Sequence, residues 1–401
     1  YFEGGFFANP VAIAREAVNE ARSFRSLGNV FAEVRPFSGA VLSSKLGYDF
    51  INYSEHSFDP TTTRQGARYN GLGFEAFSKA VNISSNTTLD YSYSVGENNL
   101  GIMLGSSIES YENLSTIVRG QDYPSNALQY VGSAAVTTGS ASLTRSTLMS
   151  YFTRIRYNYK YRYLLTFNAR YDGSSRFGAN NQYGFFPSVS GAWRISEEDF
   201  LSDLNWLSEF KLRVSSGITG NDRIGNFAFM GLYGAGFNYG RESGIAPLQL
   251  SNPDLKWETT LENNFGIDVG LFNERITFNV DYYIKYTADL LLDQPLPPSS
   301  GFEYVSRNVG EMENRGFEFN VSTVNLEGDW SWTTNFNVST NRNKVTRLYG
   351  DVDRIIDEAR GNRGNNSIFI GQPIGVFYGY HWLGVDPTTG DCVYEDKDGD
   401  G

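Results

Sequence analysis

Residues 276–292, ITFNVDYYIKYTADLLL, alternate strictly in character. Ile276, Phe278, Val280, Tyr282, Ile284 and Tyr286 fall on one side, and Thr277, Asn279, Asp281, Tyr283, Lys285 and Thr287 on the other. A period of two over such a length specifies a β-strand with one apolar and one wet surface. Strands of globular sheets average about five or six residues, whereas a strand that crosses a bilayer needs roughly 9–11. The pattern therefore predicts a membrane-crossing strand.

The same unit recurs along the chain. Tyr163, Leu165, Phe167, Ala169 and Tyr171 alternate with polar neighbours, as do Phe210, Leu212 and Val214. So do Phe265, Ile267, Val269 and Leu271, then Phe317, Phe319 and Val321, then Trp330, Trp332, Thr334, Phe336 and Val338. About twelve strands are expected on this criterion. Their connections sort by length. Short turns fall near 36–39, 96–99, 158–161, 273–274 and 327–329, with a longer one at 196–208 able to hold a helical turn. Between them lie long Gly/Asn/Ser/Pro-rich loops near 52–69, 110–147, 173–182, 220–256, 287–314 and 342–371. In a transmembrane barrel short turns face the periplasm and long loops the exterior. The expectation is an all-β, antiparallel transmembrane β-barrel with long external loops and short periplasmic turns. Tyr157, Tyr159, Tyr161 and Tyr163 crowd one short turn, and Trp330 and Trp332 another, as an interfacial aromatic girdle requires. Residues 12–24 suggest a short helix on an external loop, with Ile13, Ala17, Ala21 and Phe24 on one face.

Composition agrees. Aromatic residues reach 15%, while a 40% hydrophobic content is what a barrel with a wet lumen dilutes to. The net charge of −12 argues against nucleic acid, whose phosphates need a basic footprint. One cysteine, Cys392, excludes an internal disulfide framework, and His56 and His381 alone exclude a His-rich metal centre. The N-terminal YFEGGFFANP carries no signal-peptide pattern, so residues 1–401 are read as an internal portion of a larger barrel.

Asp396, Asp398 and Asp400 occupy alternate positions followed by Gly401, the opening half of an EF-hand-type calcium loop. Oxygens at alternate residues converge on one point, and oxygen ligands favour Ca²⁺ over Zn²⁺. The competing reading is an acidic turn held by side-chain-to-backbone bonds. The pairs Glu197/Glu198 and Glu311/Glu313 lack a partner suited to acid–base work; the first reads as turn charge and the second as part of a wet strand face. No catalytic residue and no cofactor is expected, and substrate contacts are not assigned.

Several runs resemble one family closely. YDGSSRFGANNQYGFFPSVSGAWRISEEDF (171–200), LRVSSGITGNDRIGNF (212–227) and NPDLKWETT (252–260) are similar to the SusC/RagA family of TonB-linked outer-membrane transporters of Bacteroidota. FGIDVGLFNERITFNVDYYIKYTADLLL (265–292), MENRGFEFNV (312–321) and GQPIGVFYGYHWLGVDPTTGDCVYEDKDGDG (371–401) continue the resemblance in the family's order. It implies roughly 12–15 strands of a barrel of about 22, in the outer membrane. It further implies a plug and a TonB-interacting segment outside residues 1–401, and a SusD-like surface lipoprotein as partner. The implied function is energised uptake of oligosaccharides, or of peptides. An outer-membrane binding or adhesion barrel without active transport is the alternative, and a barrel-embedded hydrolase ranks last.

Overall fold

The computed structural model describes residues 9–240, 242–350, 352–355, 367–396 and 399. Twelve long strands make one sheet in which hydrogen-bonded neighbours are also neighbours in sequence. They are β1 (Val18–Val34), β2 (Ala40–Asp59), β3 (Leu72–Val95), β4 (Asn98–Gln121), β5 (Val136–Tyr159) and β6 (Tyr163–Ser174). The series continues with β7 (Tyr183–Arg194), β8 (Leu207–Asn221), β9 (Glu258–Leu271), β10 (Ile276–Ala288), β11 (Glu311–Leu326) and β12 (Trp332–Arg347). Every one is at least as long as a bilayer crossing demands. Short hairpins such as 232–235 with 245–249, and 291–295 with 304–308, decorate the long loops.

The expected sorting of connections holds. The turn 272–275 is made by Phe272, Asn273 and Glu274, all with positive φ, and the one at 158–161 by Lys160 and Tyr161, each at φ 54°. Asn158 Oδ1 stabilises the latter by accepting from the Tyr161 amide at 2.7 Å. The longer turn after β7 holds two 3₁₀ segments, Ile195–Glu197 and Asp199–Leu201.

Two sequence expectations need correction. The loop placed at 110–147 shrinks to 122–135, because β4 and β5 continue as strands through the remainder. Those extensions mix polar and apolar residues on both sides, so the backbone ladder persists after the apolar alternation has ended. The helix expected over 12–24 is confined to Pro10–Glu16, capped by Asn9, whose side chain accepts from Val11 at 3.0 Å. Ala17 is already extended, and from Val18 onward β1 pairs without a bulge to β2, Val18 opposite Phe58 and Val34 opposite Leu42. A ladder of that length outweighs a helical face of four side chains.

The chain contains two compact units. The first comprises 1–92, 103–153 and 172–176. Its core lies where β2, β3 and β4 reach the long loops: Phe58 and Tyr123 are buried and meet edge to face at 4.9 Å. Gly73 and Gly120 open the socket, since a Cβ would fall 1.9 Å and 2.6 Å from the Tyr123 hydroxyl. The second comprises 93–102, 154–171 and 177–401. Its outer loops bury Phe177, Phe186, Leu255 and Trp257, with Trp257 Nε1 donating to the Gln182 carbonyl at 2.9 Å. A Cβ at Gly220 would fall 2.2 Å from the Phe186 ring, so that glycine is fixed by close approach.

Candidate functional site

Register in the second unit sorts chemistry onto opposite faces. Leu212 pairs with Ile267, Ile267 with Val280, Val280 with Phe319 and Phe319 with Val338, one apolar row across five strands. The next row runs Val214, Phe265, Tyr282 and Phe317, and these side chains stand exposed. An exposed apolar lattice on strands this long is a lipid-facing surface. The opposite parity carries Lys211, Arg213, Asp268, Asn279 and Asp281, and therefore faces the lumen.

On that lumenal face Arg213, Lys211, Asp268 and Asp281 form one ion cluster, with Glu318 opposite Asp281 across the β10–β11 ladder. The Arg213 guanidinium donates to both oxygens of Asp268, at 2.9 and 2.7 Å, and to both of Asp281, at 3.1 and 3.0 Å. Asp268 also meets Lys211 Nζ at 2.7 Å and accepts from Asn279 Nδ2 at 2.9 Å. Gly266 lies opposite both Arg213 and Asp281, and a Cβ there would come within 2.6 Å of the guanidinium carbon. The guanidinium thus rests flat over a glycine between two strands. Both carboxylates of the cluster are thus held by Arg213, and Asp268 by Lys211 as well. The cluster is a brace.

Beside it is a recess of about 200 Å³ whose polar lining is Thr166, Ser190, Arg213, Ser215 and Asn264. Hydroxyls, an amide and one guanidinium edge can hydrogen-bond either sugar hydroxyls or peptide groups. Neither the brace nor this recess was singled out by sequence reasoning. Their constituents lie 55 and 68 residues apart in the closest ion pairs, and only the strand register unites them.

At the periplasmic end Tyr159, Tyr163 and Trp193 stack in succession at 6.3 Å spacings, the girdle expected of that turn. Glu198 is its polar anchor, accepting from the Tyr163 hydroxyl at 2.5 Å, Trp193 Nε1 at 2.9 Å and Arg162 at 3.2 Å. These bonds, the tyrosine's foremost, hold its carboxyl below the ordinary carboxylate value. Glu197 pairs with Arg194 at 3.0 Å, as turn charge should.

Glu311 and Glu313 require a correction. They share parity with Phe317 and Phe319 and so stand on the outward face, not the wet one. They lie at the external end of β11, beyond the apolar rows, where Glu313 pairs with Arg315 and Glu311 with Arg347. Of the acidic triplet, Asp396 is exposed and accepts from the Gly399 amide at 2.7 Å, a local turn bond. Asp398 and Asp400 lie outside the described residues. Among the described residues no group of three or more His, Cys, Asp or Glu side chains converges on a metal site.

Fold and face chemistry together define part of a transmembrane β-barrel with a polar lumen. Residues 16–391 match the family described as TonB dependent receptor-like, beta-barrel, and the chain belongs to that family. It is 33% identical to TonB-dependent receptor P3 of Formosa agariphila over 98% of this chain and 42% of that protein. It is 36% identical to TonB-dependent receptor SusC of Bacteroides thetaiotaomicron, over 79% of this chain and 33% of that protein. Among solved structures it superposes on the RagAB peptide transporter with a TM-score of 0.87 at 27% identity, covering 96% of this chain and 43% of that one. The chain thus spans less than half the length of these relatives, and its place is the outer membrane.

Proposed function

We propose that these strands form a wall and the external loops of an energised outer-membrane importer for oligosaccharides or peptides. The carrying observation is the neutral, hydrogen-bonding lumenal face beside the Arg213 brace, backed by an apolar exterior. Such a wall holds its shape while offering hydroxyl and amide contacts to an uncharged polar solute. The peptide class has a relative in view, the RagAB peptide transporter, and the oligosaccharide class rests on the resemblance to the SusC/RagA family. In this reading a SusD-like surface lipoprotein covers the external loops and TonB supplies the energy through residues outside this chain. Asp268 and Asp281, both held by Arg213, serve the structure of that wall.

The test is uptake of fluorescent oligosaccharides and peptides by cells with and without the complete receptor, before and after tonB deletion. Receptor-dependent accumulation that disappears without TonB supports import. Surface binding that persists unchanged in the tonB strain would favour the adhesion reading. Asp396, Asp398 and Asp400 are further proposed to hold Ca²⁺ in an external loop, on the strength of their alternate spacing.

A further inference from the structure

The outward face of β11 and β12 changes character abruptly at its external end. Phe317 and Phe319 on β11, with Val338 and Thr340 on β12, are followed at the same parity by Arg315, Arg342 and Lys344. Arg315 lies directly opposite Arg342, and Glu313 opposite Lys344. Like charges directly opposite on adjacent strands are destabilising unless something lies between them. Glu313 is committed to Arg315, and Glu311 to Arg347 at 3.0 Å. Arg342 and Lys344 are exposed and have no ion-pair partner among the described residues. Summed over Arg315, Arg342, Lys344, Arg347, Glu311 and Glu313, the patch carries a net charge of two positive.

Depth identifies what such a patch meets. Trp332 marks the periplasmic end of β12, and Arg342 lies ten residues farther along. That is about 33 Å of strand, or about 25 Å along the membrane normal at a tilt of about 40°, the height of a barrel's apolar band. The cations therefore emerge at the external headgroup level. Tyr282 lies opposite Phe317 and Tyr286 opposite Glu313, so two tyrosines border the patch on the side of β10. Tyr283 of β10 and Asn341 of β12, hydrogen-bonded at 3.3 Å across Gly316 of β11 on the lumenal side, show that the arginines point the other way.

We propose that Arg315, Arg342 and Lys344 bind the phosphate of an anionic lipid headgroup in the external leaflet, the acyl chains lying against Phe317, Phe319 and Val338. A phosphate seated beside Arg342 and Lys344, with Arg315 across from it, supplies the anion that the described residues do not. Proximity of an apolar wall to the cations selects a lipid over a free anion.

The test uses the complete receptor in detergent, with lipid A, a zwitterionic phosphatidylcholine and inorganic phosphate as probes, read by native mass spectrometry and by thermal shift. Lipid A should bind and raise the melting temperature, while phosphatidylcholine and inorganic phosphate at equal concentration should not. R342Q/K344Q should weaken lipid A roughly thirtyfold, at about fivefold for each charge lost. R342K/K344R, which keeps both charges, should bind as wild type, and its folding guards against a trivial loss. Equal lipid A affinity in R342Q/K344Q and wild type overturns the proposal. Binding of inorganic phosphate as tight as that of lipid A overturns it as well, leaving an anion site without a lipid.

Discussion

Replacing Arg213 with glutamine should destabilise the barrel wall more than any other single lumenal charge removal. The substitution leaves Asp268 with Lys211 and Asn279, but strips Asp281 of the guanidinium it shares. The cluster then carries one uncompensated negative charge. Breaking a buried pair costs about 3–5 kcal/mol, and breaking an exposed one about 0–1. The side chains here are 33% exposed at Arg213, 13% at Asp268 and 18% at Asp281, between those limits and open to a wet lumen. A cost of about 2 kcal/mol follows for Arg213→Gln. Asp281→Asn alone should cost about 1 kcal/mol, because Asp268 retains its donors. Combined with Arg213→Gln it restores neutrality, so the double variant should be less destabilised than the sum, by about 1 kcal/mol. Gly266→Ala offers an orthogonal check, since it lifts the guanidinium off its seat without touching a charge. Urea titration of the complete receptor in lipid vesicles, followed by tryptophan fluorescence, measures all four. If Arg213→Gln unfolds within about 0.5 kcal/mol of wild type, or the double variant is strictly additive, the brace is not a coupled unit.

The Glu198 anchor carries a pH signature. Its folded value is lowered from the ordinary 4.5, so its contribution is complete above that pH and is lost as pH falls through the folded value. The stability gap between wild type and Glu198→Gln should be constant from neutral pH to about pH 5 and close in stronger acid; a gap that widens on acidification refutes the assignment. Phe177→Ala empties a fully buried position beneath Trp257, whose ring lies 5.3 Å away, and should cost about 3–4 kcal/mol. Limited proteolysis should then cut the 173–182 loop sooner, and unchanged cleavage kinetics would show that the cluster does not hold it. For the acidic triplet, calorimetry on the complete receptor should give calcium-dependent heat that Asp398→Ala abolishes. No heat at millimolar calcium leaves only the turn.

The alternating segments were legible because lipid and water make opposite demands on successive residues. Val269, Ile267 and Phe265 had to be apolar, and Asp268 between them did not. Where both surfaces meet water that contrast disappears. Residues 110–121 and 136–147 therefore read as loop although they form the outer ends of β4 and β5. The Arg213 brace was invisible for a different reason. Asn279 and Asp281 were assigned to the wet face, and Lys211, Arg213 and Asp268 fill polar positions of their own alternating strands, but the partners depend on register, which pairs 213 with 266 and 266 with 281. Gly266, set inside a regular strand, was the available hint, since a strand glycine marks a close approach.

Departures from alternation carry as much information as the alternation itself. Counting from Trp332, apolar or small residues occupy the outward parity through Phe336, Val338 and Thr340, and the first charge is Arg342. On the neighbouring strand the first outward charge beyond Phe317 is Arg315, which register places opposite Arg342. Two strands read independently thus end their apolar band at the same level. A planar boundary between hydrocarbon and headgroups produces that coincidence. Glu311 and Glu313, read as lumenal from their polarity alone, stand beyond the same boundary. Their polarity reports depth in the membrane, and parity alone reports the face.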